Sequence, residues 1–145
     1  MEKVIYFNGE FYPQQTPLIS ILDRGLCFGD GIYEVIRCIG GKFLLFSRHI
    51  KRMKESAEFL RIPFLYTSNE LLDIARELSK RNNVSNGELY MELTRGEAPR
   101  YHQFPTEVKP NFFMVINPLR EMPRECWEKG VKVITFPDIR WKYCH

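Results

Sequence analysis

Apolar and polar residues alternate along residues 3–7 and 10–12, on either side of Asn8-Gly9. Period-two alternation predicts strands, and Asn-Gly suits a two-residue type I′ turn because both of its positions need positive φ. The pattern recurs at residues 33–39 and 42–46 around Gly40-Gly41, which predicts a second hairpin. Between the hairpins, residues 23–31 carry Gly25, Gly29 and Gly31. They read as a loop, either a tightly constrained one or a plain strand connection. The period then changes. Ile50, Met53, Ala57 and Leu60 fall on one helix face, with Ser47 as the expected cap and Pro63 stopping the helix near residue 61. A second helix is expected from Thr67, where Glu70 completes a capping box; Leu71, Ala75 and Leu78 form its apolar stripe, and Asn82-Asn83 ends it.

Three strands are predicted after the helices. Residues 88–94 set Leu89, Met91 and Leu93 against Tyr90, Glu92 and Thr94, as in a half-buried strand. Residues 111–116 are more continuously apolar and predict a more deeply buried strand, and residues 131–136 predict another. Strands grouped rather than alternating with helices argue for an α+β fold: a mainly antiparallel sheet with two helices, plus the start of a second domain. Prolines at 118 and 123 bracket a polar stretch. The expected division is a small domain over residues 1–119, then a linker and the first strand of an incomplete domain over 120–145. The last residues, 139–145, include Trp141, Tyr143 and Cys144, which want burial. The chain is therefore expected to be a piece of a longer protein.

Composition narrows the function classes. At 145 residues, 44% hydrophobic and 27% charged, the chain is an ordinary globular sequence long enough to bury a core. A net charge of +3 gives no electrostatic case for nucleic acid. No apolar run approaches a membrane helix, and the N-terminus does not resemble a signal peptide. Cys27, Cys38, Cys126 and Cys144 form no CxxC pair and only three histidines are present, so no metal site is expected. Free thiols in the cytoplasm follow as the default.

Two stretches could carry chemistry. In the proline-bounded segment 94–105, Arg100 and His102 stand two apart. In an extended loop they project to one side, where a guanidinium fork beside an imidazole would receive a carboxylate. The alternative is a surface arginine beside a structural histidine. Arg48, His49, Lys51, Arg52 and Lys54 cluster at the start of the first helix. They could form a phosphate site or a nucleic-acid face, or simply a solvated helix surface. Glu55 and Glu58 interrupt the cluster, which speaks against nucleic acid. Serine-hydrolase, Walker, zinc-protease and dinucleotide motifs are all missing.

Five stretches together resemble one family. They are Asp23-Arg24-Gly25 with Phe28-Gly29-Asp30-Gly31-x-Tyr33-Glu34; His49-x-x-Arg52; Thr94-Arg95-Gly96; Pro99-Arg100-x-His102-Gln103-Phe104-Pro105; and Asp138-Ile139-Arg140-Trp141. In this order they resemble the class IV aminotransferases, fold-type IV enzymes that use pyridoxal 5′-phosphate (PLP). The Pro-Arg-x-His-x-Phe-Pro loop is most similar to the D-amino-acid aminotransferases of that family. Branched-chain aminotransferases and aminodeoxychorismate lyases share the first motifs but not this loop.

The resemblance implies that Arg52 binds the PLP phosphate. It implies that Tyr33, Arg100 and His102 hold the substrate carboxylate, the last two contributed across a homodimer interface. The expected substrates are a D-amino acid and a 2-oxo acid. The resemblance also places the Schiff-base lysine just beyond His145, so the chain holds no catalytic lysine and is expected to be inactive alone. Two further readings remain: a lyase or branched-chain aminotransferase of the same fold, and a non-catalytic fragment that binds an anion or a partner.

Overall fold

A computed structural model describes residues 2–16, 19–107 and 109–139. Its centre is a six-stranded sheet in the order β2-β1-β6-β5-β3-β4, with every recorded pairing antiparallel. The strands are β1 (Val4–Phe7), β2 (Glu10–Pro13), β3 (Gly31–Ile39), β4 (Lys42–Phe43), β5 (Gly87–Thr94) and β6 (Asn111–Pro118). The helices are α1 (Arg24–Phe28), α2 (Phe46–Phe59), α3 (Ser68–Arg81) and α4 (Arg124–Lys129). The fold is α+β, as the grouping of strands predicts.

Register follows the apolar pattern. Strand β5 is central: it pairs with β3 from Gly31↔Thr94 to Cys38↔Gly87, and with β6 from Gly87↔Pro118 to Thr94↔Asn111. One sheet face therefore carries Ile36, Cys38, Leu89, Met91, Leu93, Phe112, Met114 and Ile116, all buried. Against it pack Ile50, Met53 and Ala57 of α2 and Leu71, Ala75 and Leu78 of α3. These are the helix stripes that the sequence predicts, except that Leu60 lies just past α2 and is only partly buried. In the first hairpin turn, Asn8 and Gly9 both have positive φ, 45° and 105°, as a type I′ turn requires. Thr67 and Glu70 form the expected capping box on α3.

Several expectations need correction. Residues 23–31 are not loop throughout. Asp23 caps the single-turn helix α1 by accepting from the Gly25 N–H, and Gly29 closes the turn in the left-handed conformation. Strand β4 stops at Phe43 rather than running to residue 46, because Leu45 turns the chain at φ 49° and α2 begins at Phe46. Ser47 thus lies inside the helix and caps nothing. At the other end Arg61 takes a positive φ, 56°, so the helix stops at Phe59, short of where Pro63 would end it. Strand β6 alternates buried and half-buried positions instead of being buried throughout, since the helices cover only one sheet face. Residues 131–136 form no strand. They have no ladder partner among the described residues, and their apolar side chains are open to solvent, Ile134 at 91%. Helix α4, which precedes them, was not foreseen, and the described residues contain four helices rather than two.

Candidate functional site

Alternation along β3 sends Glu34, Ile36 and Cys38 toward the helices and Tyr33 and Val35 to the opposite face. Glu34 is thus a carboxylate at a core-facing position, 2% exposed. Helix α2 meets it with two side chains three residues apart on one face. Arg52 donates from Nε to Oε1 and from Nη2 to Oε2, both at 2.5 Å, and His49 Nδ1 lies 2.7 Å from Oε2. Burial raises the Glu34 pKa, but the hydrogen bonds and charges of Arg52 and then His49 outweigh it and hold the carboxyl below its ordinary value. The Arg52 guanidinium is correspondingly pushed up by its bond to Glu34.

The Arg52 side chain is nevertheless 66% exposed. It lines an open cavity of about 410 Å³ with Gly31, Ile32, Tyr33, Glu34, Val35 and Ser56. A guanidinium carries five N–H donors, and two of them engage Glu34. Among the described residues the other three have no hydrogen-bond partner and could meet an anion. Tyr33 stacks on Tyr90 at 5.7 Å and 25°, and the Tyr90 hydroxyl donates to Glu92 at 2.6 Å. Burial first, then that bond to Glu92, raises the Tyr90 pKa.

The segment that follows β5 is built differently. It belongs to no regular element, and buried polar ties hold it. Asp23 accepts from the Gly25 N–H at 2.7 Å, from Thr94 Oγ1 at 2.9 Å and from Asn111 Nδ2 at 2.6 Å. Asp30 takes Arg24 Nε at 2.6 Å and Arg95 Nε at 2.8 Å, and these three side chains are at most 8% exposed. Burial raises the Asp30 pKa, but Arg95 and then Arg24 overcome it and hold the carboxyl low. Arg95 also donates to the Leu60 and Arg61 carbonyls just past α2, at 2.8 and 3.2 Å, which satisfies backbone groups left open at the helix end. Gly96 sits at φ 88°, where a Cβ would come within 1.9 Å of the Lys109 carbonyl oxygen.

Arg24 carries the tie into the loop. Its Nη1 donates to the carbonyls of Tyr101 (2.7 Å) and Gln103 (3.4 Å), on either side of His102. Its guanidinium lies 4.7 Å from the centre of the Phe28 ring. Arg100 reaches the same ring at 5.2 Å, and the His102 ring lies 5.5 Å from it. The sequence-predicted residues therefore fall into two pairs. Tyr33 and Arg52 line one cavity, and Arg100 and His102 meet on Phe28.

Sequence reasoning assigned no role to Glu34, Phe28, Arg24, Asp30 or Arg95. Glu34 had a usable signal: it interrupts the apolar alternation between Ile32 and Ile36 on the core side. Most of the buried ties had none, because they join residues far apart in the chain, from Arg95 to Leu60 at 35 positions to Asn111 to Asp23 at 88. Arg140 and Trp141 of the last motif lie outside the described residues. Among the described residues no cluster suits a metal ion, Cys27, Cys38 and Cys126 are free thiols, and no helix is long and apolar enough to cross a membrane.

Comparison with known proteins agrees with these motifs. The family model for amino-transferase class IV matches residues 31–143. The D-alanine aminotransferase of Staphylococcus haemolyticus is 44% identical over 141 residues, 97% of this chain and 50% of its own length. That of Bacillus licheniformis is 36% identical over 140 residues, 97% of this chain and 49% of its own. This chain spans about half the length of the curated relatives it matches. Among solved structures, 4-amino-4-deoxychorismate lyase from Pseudomonas aeruginosa superposes with a TM-score of 0.66 at 28% identity, covering 88% of this chain and 44% of that one. The branched-chain amino acid aminotransferase of Escherichia coli superposes with a TM-score of 0.76 at 21% identity, covering 82% and 42%, a likeness of fold. With the family model matched across most of its length, the chain belongs to the class IV aminotransferases.

Proposed function

We propose that this chain forms the small domain of a PLP-dependent transaminase that moves an amino group from a D-amino acid to a 2-oxo acid. The observation that carries the reading is the convergence of Arg100 and His102 on the Phe28 ring, in a chain 44% identical to a D-alanine aminotransferase. Two cationic or donor side chains on one rigid platform suit the α-carboxylate common to every amino acid and 2-oxo acid. The Tyr33 hydroxyl is the third donor.

The residues present also fit the phosphate of PLP. Arg52 is fixed on one edge by Glu34 and open on the other, beside a cavity. That suits a phosphate dianion, which accepts several charge-assisted hydrogen bonds. When bound, the cofactor stores the amino group between the two half-reactions and draws electrons from Cα. The chain's own part is positional: Arg52 anchors the phosphate, and Arg100, His102 and Tyr33 fix the carboxylate so that the Cα–H bond keeps one direction.

The two pairs do not meet within one chain, and we assign Arg100 and His102 to the site of a second copy in a homodimer. Residues 120–145 would open the larger domain, with the Schiff-base lysine after residue 145. Free thiols suit a cytoplasmic enzyme.

The test is an assay of the full-length protein with PLP. Pyruvate should form from D-alanine beyond one equivalent per site only when a second 2-oxo acid accepts the amino group, and L-leucine should be a poor donor. Pyruvate released from 4-amino-4-deoxychorismate without an acceptor would replace the transaminase by the lyase.

A further inference from the structure

We infer that Glu34, braced by His49, is a positioning residue that holds the Arg52 guanidinium ready for a phosphate. The inference rests on the reading that Arg52 meets the PLP phosphate, and adds the device that makes it effective. The structure presents an expense that needs a reason. A carboxylate 2% exposed on the core-facing side of a strand is costly to desolvate, and replacing a buried ion pair by a well-packed apolar residue is often neutral or stabilising. Ile32 and Ile36 hold the neighbouring positions on that side, so an aliphatic residue at 34 would continue the pattern.

What Glu34 does is geometric. Both of its oxygens are engaged by Arg52, and Oε2 is also held by His49. A two-point bond fixes the plane of the guanidinium as well as its position. Without it, an arginine 66% exposed on a helix surface samples many rotamers and must be ordered by its ligand. Ordering one long side chain costs on the order of three- to tenfold in affinity. The clamp moves that cost into folding. His49 keeps the carboxylate itself from swinging.

A competing effect has the opposite sign. The negative charge of Glu34 opposes a nearby phosphate, so on Coulomb grounds alone its removal would tighten binding. The inference is that fixed geometry outweighs this charge. Glutamine at position 34 is nearly isosteric, but its NH₂ faces a donor where a carboxylate oxygen accepted one, so the two-point bond is lost.

The experiment titrates full-length apoprotein with PLP and, separately, with pyridoxal, which lacks the phosphate, following binding spectroscopically. Glu34→Gln should weaken PLP binding about three- to tenfold and leave pyridoxal binding within about twofold. In an Arg52→Ala background, Glu34→Gln should have no further effect, because there is nothing left to position. His49→Phe, at a partly exposed site, should weaken PLP binding in the same phosphate-dependent way and serves if Glu34→Gln does not fold. Unchanged or tighter PLP binding in the Glu34 or His49 variant, with Arg52→Ala still weakening it, overturns the clamp alone. Equal losses for PLP and pyridoxal mark a merely structural role and overturn it as well. No effect of Arg52→Ala on PLP binding removes the phosphate role of Arg52, and the clamp with it.

Discussion

Two regions of this chain carry the charged side chains proposed to meet a small molecule, and they are built in opposite ways. Arg52 stands on regular structure: the period of β3 sets Glu34 toward the helices, and the period of α2 sets His49 and Arg52 on one face. Arg100 and His102 stand on an irregular loop with no ladder of its own. Its course is imposed by the Asp30 ties to Arg24 and Arg95, by the Asp23 cluster and by the close approach of Gly96 to the Lys109 carbonyl. Periodicity sets the face from which each side chain leaves, and one ion pair with Glu34 then fixes Arg52. A loop that must hold a fixed shape without periodicity needs its backbone groups paired one at a time, here by the buried Arg24 guanidinium reaching the Tyr101 and Gln103 carbonyl oxygens.

The comparison predicts that the loop region is the more fragile of the two. The largest effect is expected from Asp30→Ala, which strands two buried guanidiniums and should cost about 3–5 kcal/mol in urea unfolding. A loss below about 1 kcal/mol would mean that the loop is held by something else. Gly96→Ala comes next. It combines a left-handed backbone with a Cβ aimed at a carbonyl, and about 2–3 kcal/mol should be lost. Unchanged stability would show that the chain near Lys109 yields freely, which the comparison denies.

Acid gives a gentler probe. Asp30 and Glu34 both have pKa values lowered in the fold, so each contributes stability above its unfolded value that is lost as pH falls through the lower folded one. Urea midpoints should therefore hold through pH 5 and drop below about pH 4. The Asp30→Ala variant should drop less steeply over that window, since one of the two groups is gone. Equal acid slopes for variant and wild type would contradict the assignment. The smallest effect is expected at Phe28→Ala. A partly exposed cation–π contact contributes roughly 0.5–1 kcal/mol, so the melting temperature should move little. Phe28 should nevertheless matter for substrate affinity, because Arg100 and His102 lose their shared support.

The same contrast explains what could be read from the sequence. Both hairpins, the α3 capping box and the core stripes of α2 and α3 were legible because each is signalled within a few residues of itself. The ends of β4 and α2 were not, because Leu45 and Arg61 enter the left-handed region without the glycine or asparagine that announces it. Residues 131–136 have the alternation of a strand, but alternation cannot supply a partner. At the site, Arg100 and His102 stood out as a pair, and they meet on Phe28. The Asp23 and Asp30 networks were not legible because most of their ties cross to a distant part of the chain, Thr94, Arg95 and Asn111, and only those to Gly25 and Arg24 are local. Motif residues with no assigned role, Arg24, Asp30 and Arg95, shape the loop that carries the candidate pair.

The central claim is that one device grips the cofactor phosphate and a separate one grips the substrate carboxylate. The most direct measurement is Arg100→Ala in the full-length protein, with kcat/KM for D-alanine and the affinity of the apoprotein for PLP determined on the same preparation. Truncating one member of a desolvated arginine–carboxylate pair should lower kcat/KM on the order of 30-fold or more. PLP affinity should stay within about twofold of wild type, because Arg52 is untouched. Arg100→Lys should recover only part of the loss, since an ammonium lacks the planar fork. Unchanged kcat/KM, or a loss of PLP affinity as large as the loss of kcat/KM, would contradict the account.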